Sequence, residues 1–323
     1  MITAHFKTDT FHPEIITSNN QALLCDAVWI DLLHPTKEER LVIKKYIDLK
    51  LPTFEEMQEI EPSSRLYKEG DALFMTATMI SKSDSSEPKS DAITLVLKDN
   101  KLITVRYIEP LAFSLFIAHL PKLNIEKDHA IYLVISLLEA TIDRLADISE
   151  LIGRGLDTYS QTIFRTQTAD TIKLDYKKLL QQLGSNGDLN AKVWESLVSF
   201  NRLSGFFGQA EASKFDDDMR SRLAMLTKDI SALSDQGKFL NSKVNFLLDA
   251  TLGMVNIEQN NIIKIFSIAA VIFLPPTLIA SIYGMNFQSM PELSFRFGYP
   301  LSIGLMLLSG WLPYKFFKVK KWL

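Results

Sequence analysis

A line of residues spaced three and four apart, near the C-terminal end of the chain, is the pattern with the clearest chemical potential. It consists of Asn260, Ile263, Phe266, Ala270, Leu274, Thr277, Ser281 and Gly284. Residues at this spacing share one face of a helix, and we call them the 260–284 stripe. Its first half is bulky and apolar, and its second half is small or polar. Such a face could line a path for ions, or it could be a small-residue contact between membrane helices, and the spacing favours neither.

Other kinds of chemistry find little support in the sequence. The five histidines are scattered without HExxH spacing: His5, His12, His34, His119 and His129. Gly237 and Lys238 lack the remaining residues of a phosphate-binding loop, and no GxGxxG occurs. The single cysteine, Cys25, cannot form an intrachain disulfide, and the net charge of -3 gives no electrostatic reason to bind nucleic acid. We therefore expect a protein that is not an enzyme.

Two apolar segments would place the stripe in a membrane. Residues 262–282 carry one charge, Lys264, and a helix of this length spans roughly 30 Å, the thickness of a hydrocarbon core. A second apolar segment begins at Tyr299 and carries no charge up to Tyr314. Neither segment has the polar face of a globular helix. The sequence therefore predicts transmembrane helices over residues 262–283 and 299–317, with a basic tail over 318–323.

The lysines predict the orientation of these helices. Lys315, Lys318, Lys320 and Lys321 crowd the C-terminus, whereas the connecting loop offers only Arg296. By the positive-inside rule the C-terminus is cytoplasmic, and two spans place the N-terminus on the same side. The first residues contain no apolar signal segment. We expect a multi-pass protein of the inner or plasma membrane whose loop after Asn286 faces outward.

The first 127 residues read as an α/β domain. Short apolar segments at residues 27–33, 71–80, 91–97 and 101–107 are predicted as strands, the last two joined by a turn at Asp99 and Asn100. Thr36 and Glu39 have capping-box spacing before a helix whose apolar face is Leu41, Ile43, Tyr46 and Ile47. The polar stretch 81–90 should be an exposed loop between strands.

Residues 128–261 read as a helical stalk domain. Apolar residues recur at threes and fours from Leu223 to Met254, and no proline interrupts them before the first span. One helix over residues 219–283 would measure roughly 100 Å. The repeat suits either a coiled-coil-like stalk or packing within the chain. Because two helices cannot enclose a water-filled path, the chain either anchors a soluble domain or forms a pore from several copies.

At the end of the stripe the chain resembles a known family. YGMNF at 283–287 and MPEL at 290–293 are similar to the signature of CorA-type divalent-cation (magnesium/cobalt) channels. WIDLLHPTKEE, IEPSSRLY, the long stalk, GYP at 298–300 and the KKWL end extend the resemblance over essentially the whole chain. The resemblance implies an α+β membrane protein assembled as a funnel-shaped homopentamer. It also implies passive Mg²⁺ influx, often with Co²⁺ or Ni²⁺, and closure when cytoplasmic Mg²⁺ occupies acidic sites between subunits.

The same resemblance assigns roles to residues. Gly284, Met285 and Asn286 match the selectivity filter, with Asn286 the metal-facing residue, and the rest of the 260–284 stripe matches the pore lining. Magnesium dehydrates reluctantly, so neutral oxygens can select it by hydrogen-bonding its water shell. No Asp or Glu lies between Gln259 and Pro291, and Glu292 is the only carboxylate of the outer loop. Apart from Mg²⁺ as the transported ion and a possible regulatory ligand, no cofactor is expected; the partners are copies of the chain and lipid.

Two departures from the family pattern leave alternatives open. Gln288 stands where the magnesium branch often has an acidic residue, and the regulatory aspartate of the stalk has no secure counterpart, since a gap-free alignment places Met225 there with Asp229 one turn away. The close alternative is a zinc transporter of the same superfamily, coupled to protons. A membrane-anchored soluble domain is the distant one.

Overall fold

The structure is a computed structural model that describes residues 1–7, 11–85, 87–122, 129–164, 175–285, 290, 295–320 and 322. The chain forms two compact units, Met1–Leu248 and Asp249–Leu323.

A mixed β-sheet with strand order β2-β1-β3-β7-β6-β5-β4 lies in the first unit. Its described strands are β1 (Ile2–Lys7), β2 (Phe11–Ile16), β3 (Trp29–Leu33), β4 (Leu66–Glu69), β5 (Ala72–Ser81), β6 (Lys89–Lys98) and β7 (Lys101–Arg106). β3 and β7 pair in parallel, and the other described pairs are antiparallel.

The four strands predicted from the sequence are confirmed as β3, β5, β6 and β7. Asp99 and Asn100 both have positive φ, 49° and 57°, as the two-residue turn of a tight hairpin requires. The predicted loop after β5 is also present, and its Asp84 accepts hydrogen bonds from Arg144 at 2.8 and 2.9 Å. Strands β1, β2 and β4 were not predicted from the sequence. β2 and β4 are the two edge strands, and β2 contains Pro13, which a central strand rarely tolerates.

The described α-helices lie around and after the sheet. They are α1 (Lys37–Ile47), α2 (Phe54–Met57), α3 (Pro62–Arg65), α4 (Leu111–His119), α5 (His129–Phe164), α6 (Tyr176–Ala210), α7 (Asp217–Tyr283) and α8 (Gly298–Val319).

The start of α1 confirms the predicted capping box. The Thr36 hydroxyl accepts from the Glu39 amide at 3.2 Å, and the Glu39 carboxylate accepts from the Thr36 amide at 2.9 Å. The predicted apolar face is wrong at Leu41, which is 64% exposed. Ile43 and Ile47 hold the buried face, and Leu41, two residues before Ile43, is turned by about 200° from it. Val42 packs against the core instead.

A buried polar cluster ties β3 to β7. Asp31 and Arg106 form an ion pair at 2.8 Å, and the Thr104 hydroxyl donates to Asp31 at 2.6 Å. The Trp29 indole donates to Thr104 at 3.1 Å, and His5 stacks on Trp29 with ring centroids 4.2 Å apart. Because both charges are paired and hydrogen-bonded, their burial is tolerated, and they specify the only parallel register among the described strands.

Three long helices pack together in the first unit: α5, α6 and the first part of α7. The repeat noted on α7 is buried here, at Leu223, Leu226, Ile230, Leu240, Val244 and Leu247. Asn190 of α6 donates to the Gly237 carbonyl at 2.9 Å, and Asp157 of α5 pairs with Lys243 at 2.7 Å. This face of α7 is therefore covered by α5 and α6, which favours packing within the chain over a coiled coil for these residues.

The second unit contains the last part of α7 and the whole of α8. α7 continues through Pro275 and Pro276 to Tyr283. By length and composition, α7 is the one described helix that is long and apolar enough to cross a bilayer. α8 runs from Gly298 to Val319, close to the predicted second span.

Candidate ion path and acidic groove

The 260–284 stripe is exposed along its whole length. Its seven residues up to Ser281 lie on α7, and Gly284 follows the last residue of that helix. The bulky members protrude most, since Ile263, Phe266 and Leu274 are 53%, 72% and 64% exposed. The chain therefore presents a continuous line of apolar and then polar side chains that no element of its own unit covers.

The contact between α7 and α8 lies on the other side of α7. A Cβ atom placed on Gly310 would lie 3.4 Å from the Pro276 ring and 3.5 Å from the Ile272 carbonyl, so the two helices approach closely there. Leu274 lies two residues from each of these positions, or about 200° around the helix. The stripe is therefore not the contact between the two helices of this chain. A small-residue contact with another copy remains compatible with its position.

Backbone hydrogen bonds satisfy carbonyl groups at the C-terminal end of α7. The Gly284 amide donates to the Ala280 carbonyl at 2.9 Å, and the Met285 amide donates to the Ile282 carbonyl at 3.2 Å. A Cβ atom on Gly284 would lie 3.2 Å from the Ala280 carbonyl oxygen, so glycine relieves crowding at this turn. One turn before Ser281, the Thr277 hydroxyl donates to the Phe273 carbonyl at 2.7 Å, and its oxygen lone pairs remain available.

The remaining residues of the predicted filter cannot be placed. Asn286 and Glu292 lie outside the described residues. Gly284 and Met285 are both exposed where the described part of this segment ends. The assignment of Asn286 to the filter and of Glu292 to the outer loop therefore stays a prediction.

An acidic groove lined by α4, α5 and α7 was not predicted from the sequence. Glu139, Asp143 and Asp147 lie four residues apart on α5 and line a cleft of about 400 Å³, with Arg222 of α7 opposite them. Arg222 donates to both carboxylate oxygens of Glu139, at 2.9 and 2.6 Å. The spacing of the three carboxylates was visible in the sequence, but their meeting with α7 was not.

The charges of the groove act on each other. Partial burial, together with the carboxylates of Glu139, Asp147 and Asp229, raises the pKa of Asp143. The hydrogen bond to Glu139 raises the pKa of Arg222. Among the described residues, no three potential ligands lie close enough to hold a metal ion unaided. Three carboxylates thus share the groove with two guanidinium groups, those of Arg144 and Arg222, and the described residues of one chain do not provide a complete set of metal ligands.

Comparisons with known proteins identify the family and the fold. A model of the CorA-like Mg²⁺ transporter protein family matches residues 26–320. The magnesium transport protein CorA of Pasteurella multocida is 34% identical over 308 residues, covering 95% of this chain and 96% of that protein. The protein of the same name from Escherichia coli K12 is 35% identical over 300 residues, covering 93% of each.

A solved structure shares the fold. The complete structure of the CorA magnesium transporter from Methanocaldococcus jannaschii matches with a TM-score of 0.76 and 18% identity, covering 100% of this chain and 99% of that one. The resemblance seen in the YGMNF and MPEL motifs is confirmed by these matches. Since the family model and the relatives span nearly the whole sequence, this chain belongs to the CorA-like Mg²⁺ transporter family.

Proposed function

We propose that this protein conducts Mg²⁺ passively across a cell inner or plasma membrane, with Co²⁺ and Ni²⁺ as further permeant ions. Family membership supports the transported ion. The observation that carries the mechanism is the exposed 260–284 stripe on the side of α7 away from α8. A stripe in that position is free to face an aqueous path while α8 faces lipid.

The membrane part consists of two helices in this proposal. The last part of α7, residues 262–283, is the inner helix, and α8 is the outer one. The exposed residues of α8 include Leu301, Leu307 and Leu312, which water would not favour but lipid accepts. The lysines at the end of α8 support a cytoplasmic position for both termini.

A pore requires several copies, because two helices cannot surround water. We take the number five from the family resemblance. In a homopentamer each copy contributes one stripe, so that rings of Asn260, Ile263, Phe266, Ala270, Leu274, Thr277, Ser281 and Gly284 succeed one another along the axis. The apolar rings of Ile263, Phe266 and Leu274 close the path by excluding water when the helices approach.

Selection takes place at the outer end. Rings of Asn286 side chains and Gly284 carbonyls, next to Met285, hydrogen-bond the water shell of the arriving cation. Neutral oxygens suffice because Mg²⁺ keeps its water, whereas a carboxylate cage would hold the ion too tightly to release it. Glu292 concentrates cations at the mouth. Mg²⁺ is the cargo here, and the proposal includes no resident cofactor and no enzymatic step.

Flux through the purified protein in liposomes tests the proposal. Mg²⁺ uptake should be lost in Asn286→Ala, while Asn261→Ala, the same change beside the stripe, should keep uptake and assembly. Equal uptake in the two variants would contradict the filter. Uptake of Zn²⁺ that rises with a proton gradient and ignores Mg²⁺ would favour a zinc transporter. A monomer without flux would favour a membrane-anchored soluble domain.

A further inference from the structure

The C-terminal end of α8 carries positive charge without any negative partner in its own segment. No Asp or Glu follows Glu292, whereas Lys315, Lys318 and Lys320 lie within six residues of one another. A cluster of ammonium groups at a membrane boundary is attracted to anionic lipid headgroups.

Two of these lysines belong to one exposed face of α8. Trp311, Tyr314, Lys315 and Lys318 have the spacing i, i+3, i+4, i+7, which places them together. The Lys315 ammonium lies 4.9 Å from the centroid of the Trp311 ring, and the Lys318 ammonium lies 6.0 Å from that of Tyr314. Trp311 and Tyr314 are 51% and 44% exposed. We call these four residues the basic–aromatic face.

Three of the four residues of this face lie away from the contact with α7. Phe317, which is buried, and Gly310, which lies against Pro276, mark the side of α8 that packs in the unit. Lys315 lies about 200° around the helix from Phe317, Lys318 lies about 100° from Phe317, and Trp311 lies about 100° from Gly310. Tyr314 lies next to the contact side. In the topology proposed above, on which this step rests, the basic–aromatic face therefore meets the cytoplasmic leaflet.

We infer that the basic–aromatic face binds the headgroup of an anionic phospholipid of that leaflet. The two ammonium groups pair with the phosphate, and the amphipathic rings of Trp311 and Tyr314 lie between headgroup and acyl chain. A lipid fits better than a free phosphate because half of the face is aromatic and its setting is a bilayer boundary.

Quenching of tryptophan fluorescence by brominated lipid tests this inference. The full-length assembly, carrying Trp322→Phe, is placed in vesicles with either dibromo-phosphatidylglycerol or dibromo-phosphatidylcholine at the same mole fraction. The anionic lipid should quench Trp311 at several-fold lower mole fraction. Lys315→Gln with Lys318→Gln should abolish this preference, since the two ammonium groups provide the attraction to the anionic headgroup. Lys315→Arg with Lys318→Arg should restore it.

The control is Lys320→Gln, which removes the same charge two residues from Lys318 and should keep the preference. Equal quenching by the two lipids, or equal loss in the control, would overturn the inference, as would displacement by millimolar inorganic phosphate. Mg²⁺ flux is measured in the same vesicles. Mg²⁺ flux without a lipid preference would contradict this inference alone. The absence of quenching by either lipid would contradict the proposed membrane topology as well.

Discussion

Asp143 is the carboxylate of the acidic groove whose pKa is raised by its surroundings. Its pKa is raised above the ordinary 3.8 by burial first and by Glu139, Asp147 and Asp229 next. The folded state therefore holds a proton that the unfolded chain has already released, so stability is lost as the pH rises through the raised pKa. At neutral pH the ionised Asp143 lowers the stability of the folded protein, and a bound cation would reduce this effect.

We expect Asp143→Asn to raise the thermal unfolding midpoint at pH 7, because it removes this repulsion. The gain should stay below about 1 kcal/mol, since the group is largely exposed and screened. Added Mg²⁺ should stabilise the variant less than the parent protein. Asp235→Asn serves as control, because Asp235 pairs with Lys238 at 2.9 Å and its loss should bring no gain. A lowered midpoint in Asp143→Asn would refute the repulsion.

For His5 we expect the opposite dependence of folding stability on pH. Burial lowers its pKa from 6.5 to about 4, against the attraction of Asp31. Below about pH 6.5 the unfolded chain therefore takes up a proton that the folded protein does not accept until about pH 4. Stability should fall by about 3 kcal/mol across this window. His5→Phe, which can keep the stack on Trp29, should reduce the fall in an unfolding series from pH 7 to 4, and exposed His119→Gln should not.

At the scale of elements, α7 contributes to both units and packs with a different face in each. In the first unit its buried face approaches α6 so closely that a Cβ on Gly208 would lie 3.0 Å from the Leu223 side chain. In the second unit a different face meets α8 at Pro276. The regular spacing from Leu223 to Leu247 therefore reflects packing against α5 and α6, and the contact with α8 uses other residues of the helix.

Matched glycines of α6 test the close approach. Gly208→Leu should destabilise the protein by about 1–3 kcal/mol, because the new side chain overfills the contact with Leu223. Gly205→Leu should be neutral or stabilising by up to about 1 kcal/mol, since no atom lies within 4 Å of its Cβ position and leucine favours a helix. Thermal unfolding in detergent measures both, and equal effects would show that helix propensity alone decides.

For the whole molecule, the central question is which face of α7 meets other copies. The stripe includes Thr277, exposed in the single chain, whereas Ile279 lies about 200° around the helix and is half-buried. A pore built from the stripes predicts that Thr277 faces the axis and water, and that Ile279 does not.

Two single-cysteine variants, Thr277→Cys and Ile279→Cys, test this arrangement. Both are made in a Cys25→Ser background, which removes the only native thiol. A water-soluble thiol reagent should block Mg²⁺ flux through Thr277→Cys and leave Ile279→Cys unaffected. Block of both variants, or of Ile279→Cys alone, would place another face at the axis. The mass of the purified complex in detergent counts the copies, for which five are expected.

Much of the fold was predictable from the sequence because the deciding patterns are local. Strands β3, β5, β6 and β7 are apolar runs bounded by turn residues, and the Thr36 capping box needs four consecutive residues. The YGMNF and MPEL motifs predicted the family. β2 and β4 were not predicted because they are edge strands with little apolar alternation, and β1 is a strand because it pairs with β2 and β3. The outcome at Leu41 depended on where the core lies.

The sequence by itself thus determined the apolar segments, the 260–284 stripe and the family, since periodicity and short motifs are properties of neighbouring residues. Only the tertiary structure decided that α5 and α6 cover the apolar face of the first part of α7, that α8 leaves the stripe free, and that Asp229 joins the carboxylates of α5. These are contacts between residues far apart in the chain, and their geometry follows from how the helices pack rather than from any spacing along one of them.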